Sequence, residues 1–268
     1  MTDRPSGARA AHPLAGWRVL VPRPAGSADE LAELLRRAGA EPVCVPLNAI
    51  RPESGSVEMR RAVADLAASA FDWVAFTSAA AVSAVLDAAR QAGLEQPVGG
   101  DTRVAAVGGP TAAALRAAGL TVHLVPDGAG SASTLIAAWP RESGGRAVLL
   151  PRSDRARPEL PDALRHRGYR VTEVIAYRTI TLPVPAETAR ALATGSLDAV
   201  LLTSPSTAAA VADVPVAPGV IVVAIGASTT AAARDAGLAV TATATQPSAP
   251  GLVEALAGAA VTDSSSRS

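Results

Sequence analysis

The chain has 268 residues, 49% of them hydrophobic but only 3% aromatic, which suits closely packed α/β layers better than a β-sandwich. Its 24 basic and 24 acidic residues cancel, so it carries no electrostatic footprint for nucleic acid or for an anionic membrane. Every basic residue is Arg, which excludes a Schiff-base lysine, a pyridoxal-phosphate enzyme and a Walker A lysine.

Cys44 is the single cysteine, so no internal disulfide forms, and His12, His123 and His166 are not at metal-ligand spacing. No metal site is expected. The first residues, Met1 to Ala15, lack the apolar run of a signal peptide, and no breaker-free apolar stretch is long enough for a membrane span. A cytoplasmic protein without membrane contact is the expectation.

In chain order, a β-like run from Val19 ends at Pro22-Arg23, and a helical pattern through Leu31 and Leu35 stops at Gly39. Pro46 to Ile50 follows as an extended segment. Phe71 begins a run that ends at Thr77-Ser78, with an Ala-rich helix to Gly93. Ala106-Val107 leads into Gly108-Gly109-Pro110-Thr111 and a helix to Gly119. Val148 opens a run ending at Pro151-Arg152, with a helix through Leu160 and Leu164 to Gly168. Val174 to Thr179 is extended. Leu197 runs to Thr203-Ser204, and Ala224-Ile225 leads into Gly226-Ala227-Ser228-Thr229 and a helix to Gly237. Each glycine that follows a helix is placed for a left-handed cap.

The halves repeat. VLVPR from Val19 matches VLLPR from Val148, Phe71 to Ser78 matches Leu197 to Ser204, and Ala106 to Thr111 matches Ala224 to Thr229. The separation shrinks from pair to pair, so connections are shorter in the second half. Alternating strands and helices imply parallel sheets covered on both faces. Two doubly wound α/β units from an internal duplication are therefore expected.

In such sheets ligands bind beyond the carboxyl ends of the strands, where helices start. Here those positions are Arg23, Ser78, Thr111, Arg152, Ser204, Ser228 and Thr229. Bare helix N–H groups and hydroxyls suit anions, although a Ser or Thr at such a place more often serves only as an N-cap. Arg23 and Arg152 occupy equivalent places and equally read as surface ion pairs. Tyr177, one of two tyrosines, lies at the end of an extended run and equally reads as an ordinary strand residue. Trp73 and Trp139 read as core, Tyr169 as structural and His166 as solvated.

Together these segments resemble the uroporphyrinogen-III synthase family, from about Gly16 to Leu256. The carriers are VLVPRP (19–24), FDWVAFTSAAAV (71–82), VAAVGGPTAAALRAAG (104–119), VLLPRSDRARPELPDALRHRG (148–168), VIAYRTI (174–180), DAVLLTSPS (198–206) and AIGASTTAAARDAG (224–237). Their order and duplication are specific where no single one is.

The resemblance implies two flavodoxin-like doubly wound parallel-sheet domains, joined by a two-stranded connector near Pro46–Leu47 and Leu182, with a cleft between. Domain 1 is then discontinuous, residues 1–47 and 182–268, and domain 2 is 48–181. The implied reaction cyclises hydroxymethylbilane to uroporphyrinogen III, with loss of water and inversion of ring D. It needs no cofactor, because the pyrroles supply the electrons. The implied catalytic residue is Tyr177, as a phenol near the leaving hydroxyl. Thr229, Ser78 and Ser204 match family hydroxyls, and Ser131 and Ser248 lie in loops that face the family's cleft. The family's Gly-Pro-Thr-Thr turn reads Gly226-Ala227-Ser228-Thr229 here, which bears on Ser228 more than on Thr229. A monomer is implied, with transient contact to hydroxymethylbilane synthase as a further partner. The competing expectations are a two-lobed non-enzymatic binding or sensing protein, and a two-domain enzyme of sugar or nucleotide metabolism.

Overall fold

The computed structural model describes residues 12–23, 29–128, 130–141 and 145–266; the polar stretch before residue 12 lies outside the described residues. The chain forms two compact units, Met1–Ala49 with Thr181–Ser268, and Ile50–Ile180.

The first unit carries a five-stranded sheet of β1 (Arg18–Val21), β2 (Glu41–Cys44), β8 (Ala199–Leu202), β9 (Ile221–Ala224) and β10 (Ala242–Thr243). The order is β10-β9-β8-β1-β2, and its paired strands run parallel. Counted along this unit that is 2-1-3-4-5, the flavodoxin-like doubly wound order. Strand side chains alternate between faces. Val19 and Val21 meet Leu31 and Leu35 of α1 (Asp29–Arg37) with Leu252 and Leu256 of α10 (Ala249–Ser266). Leu20 points the other way, into a cluster with Leu192 of α7 (Ala186–Thr194), Val211 of α8 (Pro205–Ala212) and Ala233 of α9 (Ala227–Asp235). Both faces are covered, which is why these strands are continuous apolar runs.

The second unit is built on β3 (Asn48–Pro52), β4 (Trp73–Phe76), β5 (Arg103–Ala106), β6 (Ala147–Ser153) and β7 (Arg170–Thr181), in the order β3-β7-β6-β4-β5. An isolated parallel bridge, Ala105 to Leu124, extends the far edge. One face packs α2 (Val57–Ala67), α3 (Ala79–Gln91) and α4 (Gly109–Ala117) through Met59, Val63, Val82, Val85 and Leu115. The other packs α5 (Ala132–Ala138) and α6 (Glu159–His166) through Leu135, Leu160 and Leu164, with Trp73, Trp139 and Tyr169 buried among them. Tyr169 donates to the Pro140 carbonyl at 3.0 Å, so both tryptophans and this tyrosine are structural, and His166 is exposed.

Segments that resemble one another in sequence hold equivalent places in the two sheets. β1 lies between β2 and β8, as β6 lies between β7 and β4. The helices that follow β1 and β6 end alike: Gly39 (φ 89°) and Gly168 (φ 82°) are both left-handed, a conformation that costs glycine nothing.

Candidate functional site

The expected site residues fall into a few physical environments. Ser78, Ser131, Ser204 and Ser248 stand just before α3, α5, α8 and α10. Each Oγ accepts a backbone N–H three residues on: Ala81 at 3.2 Å, Thr134 at 3.1 Å, Thr207 at 3.3 Å and Gly251 at 3.2 Å. All four therefore cap helices. Ser131 and Ser204 complete reciprocal capping boxes with Thr134 and Thr207.

The helices α4 and α9 differ. Gly108 and Gly226 precede them with no side-chain cap, so their first N–H groups have no capping side chain. Both glycines are extended. The Gly108 backbone lies against another glycine: a Cβ there would meet Gly130 Cα at 2.9 Å. Thr111 and Thr229, in the first turns of these helices, are turned inward and only 4% and 1% exposed. Ser228 is exposed beside Thr229. The neighbouring Thr230 is tied down, its Oγ1 donating to the Gly226 carbonyl at 3.2 Å and meeting Thr243 Oγ1 at 2.8 Å.

The two arginines are not alike either. Arg23 is exposed just beyond β1. Arg152, at the end of β6, is ion-paired with Glu173 of β7 and donates to the carbonyls of Ala156 and Arg157. Glu173 also takes Arg165 at 2.6 Å. Nothing in the sequence pointed to Glu173, because the pairing follows from strand register across the β6–α6–β7 turn.

Tyr177 is placed by an irregularity. β6 and β7 pair in step from Ala147 with Arg170 to Arg152 with Ile175, and then Ser153 pairs with Tyr177. Ala176 is the extra residue of this bulge. In a regular strand Ala176 and Tyr177 face opposite sides; bulges re-aim side chains. Here both lie against the cluster of Met59, Val63, Val82 and Val85. The Tyr177 Oη is then within reach of Ser78, whose Oγ donates to it at 3.1 Å. The segment that matches this one in the repeat, Pro46 to Ile50, has Asn48, whose Oδ1 accepts from Ser206 Oγ at 3.1 Å.

Asp154 clamps β7 beside the bulge. Its N–H donates to the Tyr177 carbonyl at 3.2 Å, and its Oδ1 accepts the Thr179 N–H at 3.2 Å. Desolvation alone would raise its pKa. The Thr179 N–H, the Ser153 hydroxyl and the guanidinium groups of Arg155 and Arg178 outweigh it and hold the carboxyl below the ordinary aspartate range.

A cavity of about 430 Å³ opens in the second unit, lined by Thr77, Ser131, Leu150, Pro151, Arg152 and Leu160 among others. It sits beyond the carboxyl ends of β4 and β6, whose following helices α3 and α6 lie on opposite faces of the sheet. That is the switch point where open α/β sheets bind ligands. A cavity of about 570 Å³ in the first unit lies at the start of β9 against α10 and contains none of the expected site residues. Among the described residues no group of His, Cys, Asp and Glu could hold a metal ion, and no helix is long and apolar enough to cross a membrane.

A family model described as uroporphyrinogen-III synthase HemD matches residues 29–254. The chain belongs to the uroporphyrinogen-III synthase family. It is 32% identical over 203 residues to the uroporphyrinogen-III synthase of Synechococcus elongatus, covering 74% of either chain. It is 28% identical over 167 residues to the porphyrin biosynthesis protein HemD of Ruminiclostridium josui, covering 62% of this chain and 33% of that one. A mutant uroporphyrinogen III synthase of Thermus thermophilus shares the fold, with a TM-score of 0.52 at 22% identity over 92% of this chain and 100% of that one. Membership in the uroporphyrinogen-III synthase family makes the chain a lyase-type cyclase of tetrapyrrole biosynthesis.

Proposed function

We propose that this chain closes hydroxymethylbilane to uroporphyrinogen III, with Tyr177 as the donor to the departing hydroxyl. The observation that carries the residue assignment is the bulge at Ala176, which brings the phenol into reach of Ser78 just beyond the carboxyl end of β4. Loss of the hydroxyl as water leaves an azafulvene. Attack on it gives a spiro intermediate, which fragments and recloses with ring D inverted. The pyrroles supply the electrons, so the step needs no metal or organic cofactor. The protein's part is to hold the reacting ends together and to assist hydroxyl departure.

The substrate's carboxylates fall to partial charges rather than to a basic patch, consistent with a chain of zero net charge. The uncapped amino ends of α4 and α9 offer backbone N–H groups and a favourable dipole. Ser228, Thr229, Ser204, Ser131, Ser248, Thr111 and Arg23 are the remaining substrate-binding candidates, with Arg152 acting at the rim of the switch-point cavity. We assign the enzyme to the cytoplasm as a monomer that receives its unstable substrate from hydroxymethylbilane synthase in transient contact.

The deciding experiment supplies freshly made hydroxymethylbilane and separates the porphyrin isomers after oxidation. Spontaneous closure gives type I. Type III product is expected, and type I alone would reject the assignment.

A further inference from the structure

Ser78 precedes α3 in extended backbone, with φ −161° and ψ 153°, and accepts the Ala81 N–H as an ordinary N-cap. Capping uses only the lone pairs of its oxygen. Its proton goes elsewhere, to Tyr177 Oη at 3.1 Å. A serine hydroxyl has one proton to give and a phenol has one. With the serine proton aimed at the phenol oxygen, the phenol's own O–H points away from Ser78. The hydrogen bonds therefore run one way, from Ala81 N–H through Ser78 to Tyr177. They begin at the amino end of a 13-residue helix, where the backbone dipole favours negative charge.

The equivalent serine of the first unit has no such outlet. Ser204 Oγ is engaged with Ser206 at 3.0 Å and with Thr207 at 3.3 Å, inside its own capping box. The link to a phenol is thus a property of Ser78 and not of capping serines in general.

We propose that Ser78 is a positioning residue for Tyr177. It fixes the phenol, turns the phenolic proton outward, and couples the oxygen to the amino end of α3 as that proton leaves. This rests on the reading of Tyr177 as the donor to the hydroxyl, and it gives Ser78 a task through Tyr177 rather than on a substrate carboxylate. The balance is simple. The phenolic proton leaves with the hydroxyl as water when the C–O bond breaks. The new ring C–C bond forms, and the proton that the closing pyrrole carbon sheds on rearomatisation restores the phenol.

The test measures hydroxymethylbilane turnover and thermal midpoints for the wild type, S78A, S78G, S78T, Y177F and the S78A/Y177F double variant. A neutral hydrogen bond of typical strength sets the expected loss, roughly five- to tenfold in kcat for S78A and S78G, with KM within about twofold. Glycine caps a helix nearly as well as serine and alanine does not, so S78G stays near the wild-type midpoint while S78A falls below it. Equal loss of rate with unequal loss of stability separates positioning from capping. S78T keeps both the hydroxyl and the cap and recovers most of the rate. In the Y177F background S78A costs little further rate.

Wild-type turnover in S78G overturns the proposal. So does a rate loss from S78A that is as large without the phenol as with it. A raised KM at unchanged kcat also overturns it, by making Ser78 a substrate contact. If Y177F itself turns over at the wild-type rate, the reading of Tyr177 is what fails, whatever Ser78 does.

Discussion

Arg152 and Glu173 pair across β6 and β7 with little solvent between them, their side chains 11% and 30% exposed. The guanidinium also serves two carbonyls of the following loop, and Glu173 serves Arg165 as well. Removing the acid leaves a mostly buried cation without its counter-charge at the rim of the switch-point cavity. Glu173→Ala should therefore destabilise the protein by about 2 kcal/mol, less than a fully buried pair because Glu173 is partly wet. Urea melts of Glu173→Ala against Glu173→Gln check this. The Gln variant keeps an acceptor for Arg152 and should lose clearly less. Equal, negligible losses would show that the pair is solvated.

Strand content, two-sided coverage and the repeated order were legible because each follows from short-range pattern. Val19, Leu20 and Val21 are apolar in succession, which only a strand covered on both faces requires. The helix-ending glycines declare left-handed caps. The helix-start serines were legible as either caps or ligands, and all four cap. What could not be read depends on pairing across distance. The bulge at Ala176 has no residue signature: an alanine in an extended run says nothing of a partner strand's register. Glu173 became the partner of Arg152 only through that same pairing. Ser228 and Thr229 are adjacent hydroxyls, and the sequence did not say which faces the core. The rotation of α9 decides it, leaving Ser228 exposed and Thr229 buried.

The two equivalent glycines before α4 and α9 should respond differently to a methyl group. Both are extended, so neither is strained by its φ. A Cβ on Gly108 would meet Gly130 Cα at 2.9 Å, whereas one on Gly226 meets only Pro247 Cβ at 4.0 Å. Gly226→Ala should cost only the poorer cap, about 0.5–1 kcal/mol. Gly108→Ala should cost that and a further 1–2 kcal/mol or so, because backbone rather than a flexible side chain must move. Paired melts of the two variants decide it. Equal midpoints would mean that the Gly130 loop yields freely.

Thr229 is packed in the core, and the proposed function would give it a second, separable role in hydrogen bonding to substrate. It is 1% exposed in the first turn of α9. As a substrate-binding hydroxyl, it should tolerate Thr229→Ser far better than Thr229→Val. The loss of a hydrogen bond to a charged group predicts a roughly tenfold or larger fall in kcat/KM for Val. If packing dominates instead, Val keeps activity and Ser loses stability. Thermal midpoints taken with the kinetics distinguish the two.

Asp154 gives the β7 clamp a pH dependence of known sign. Its pKa is lowered in the folded protein, because the Thr179 N–H, the Ser153 hydroxyl and nearby arginines favour the carboxylate more than desolvation opposes it. A group with a depressed folded pKa adds stability that is fully present above its unfolded value, about 3.9 for aspartate. That stability is lost as pH falls through the lower folded value. Asp154→Asn keeps an acceptor for Thr179 but has no charge to titrate. The wild type should be the more stable of the two near neutrality, and the gap should close as the pH drops below about 4. Midpoints measured from pH 7 down to pH 3 would show it. A gap that is constant over that range would mean that the carboxylate charge adds nothing to holding the strand around Tyr177.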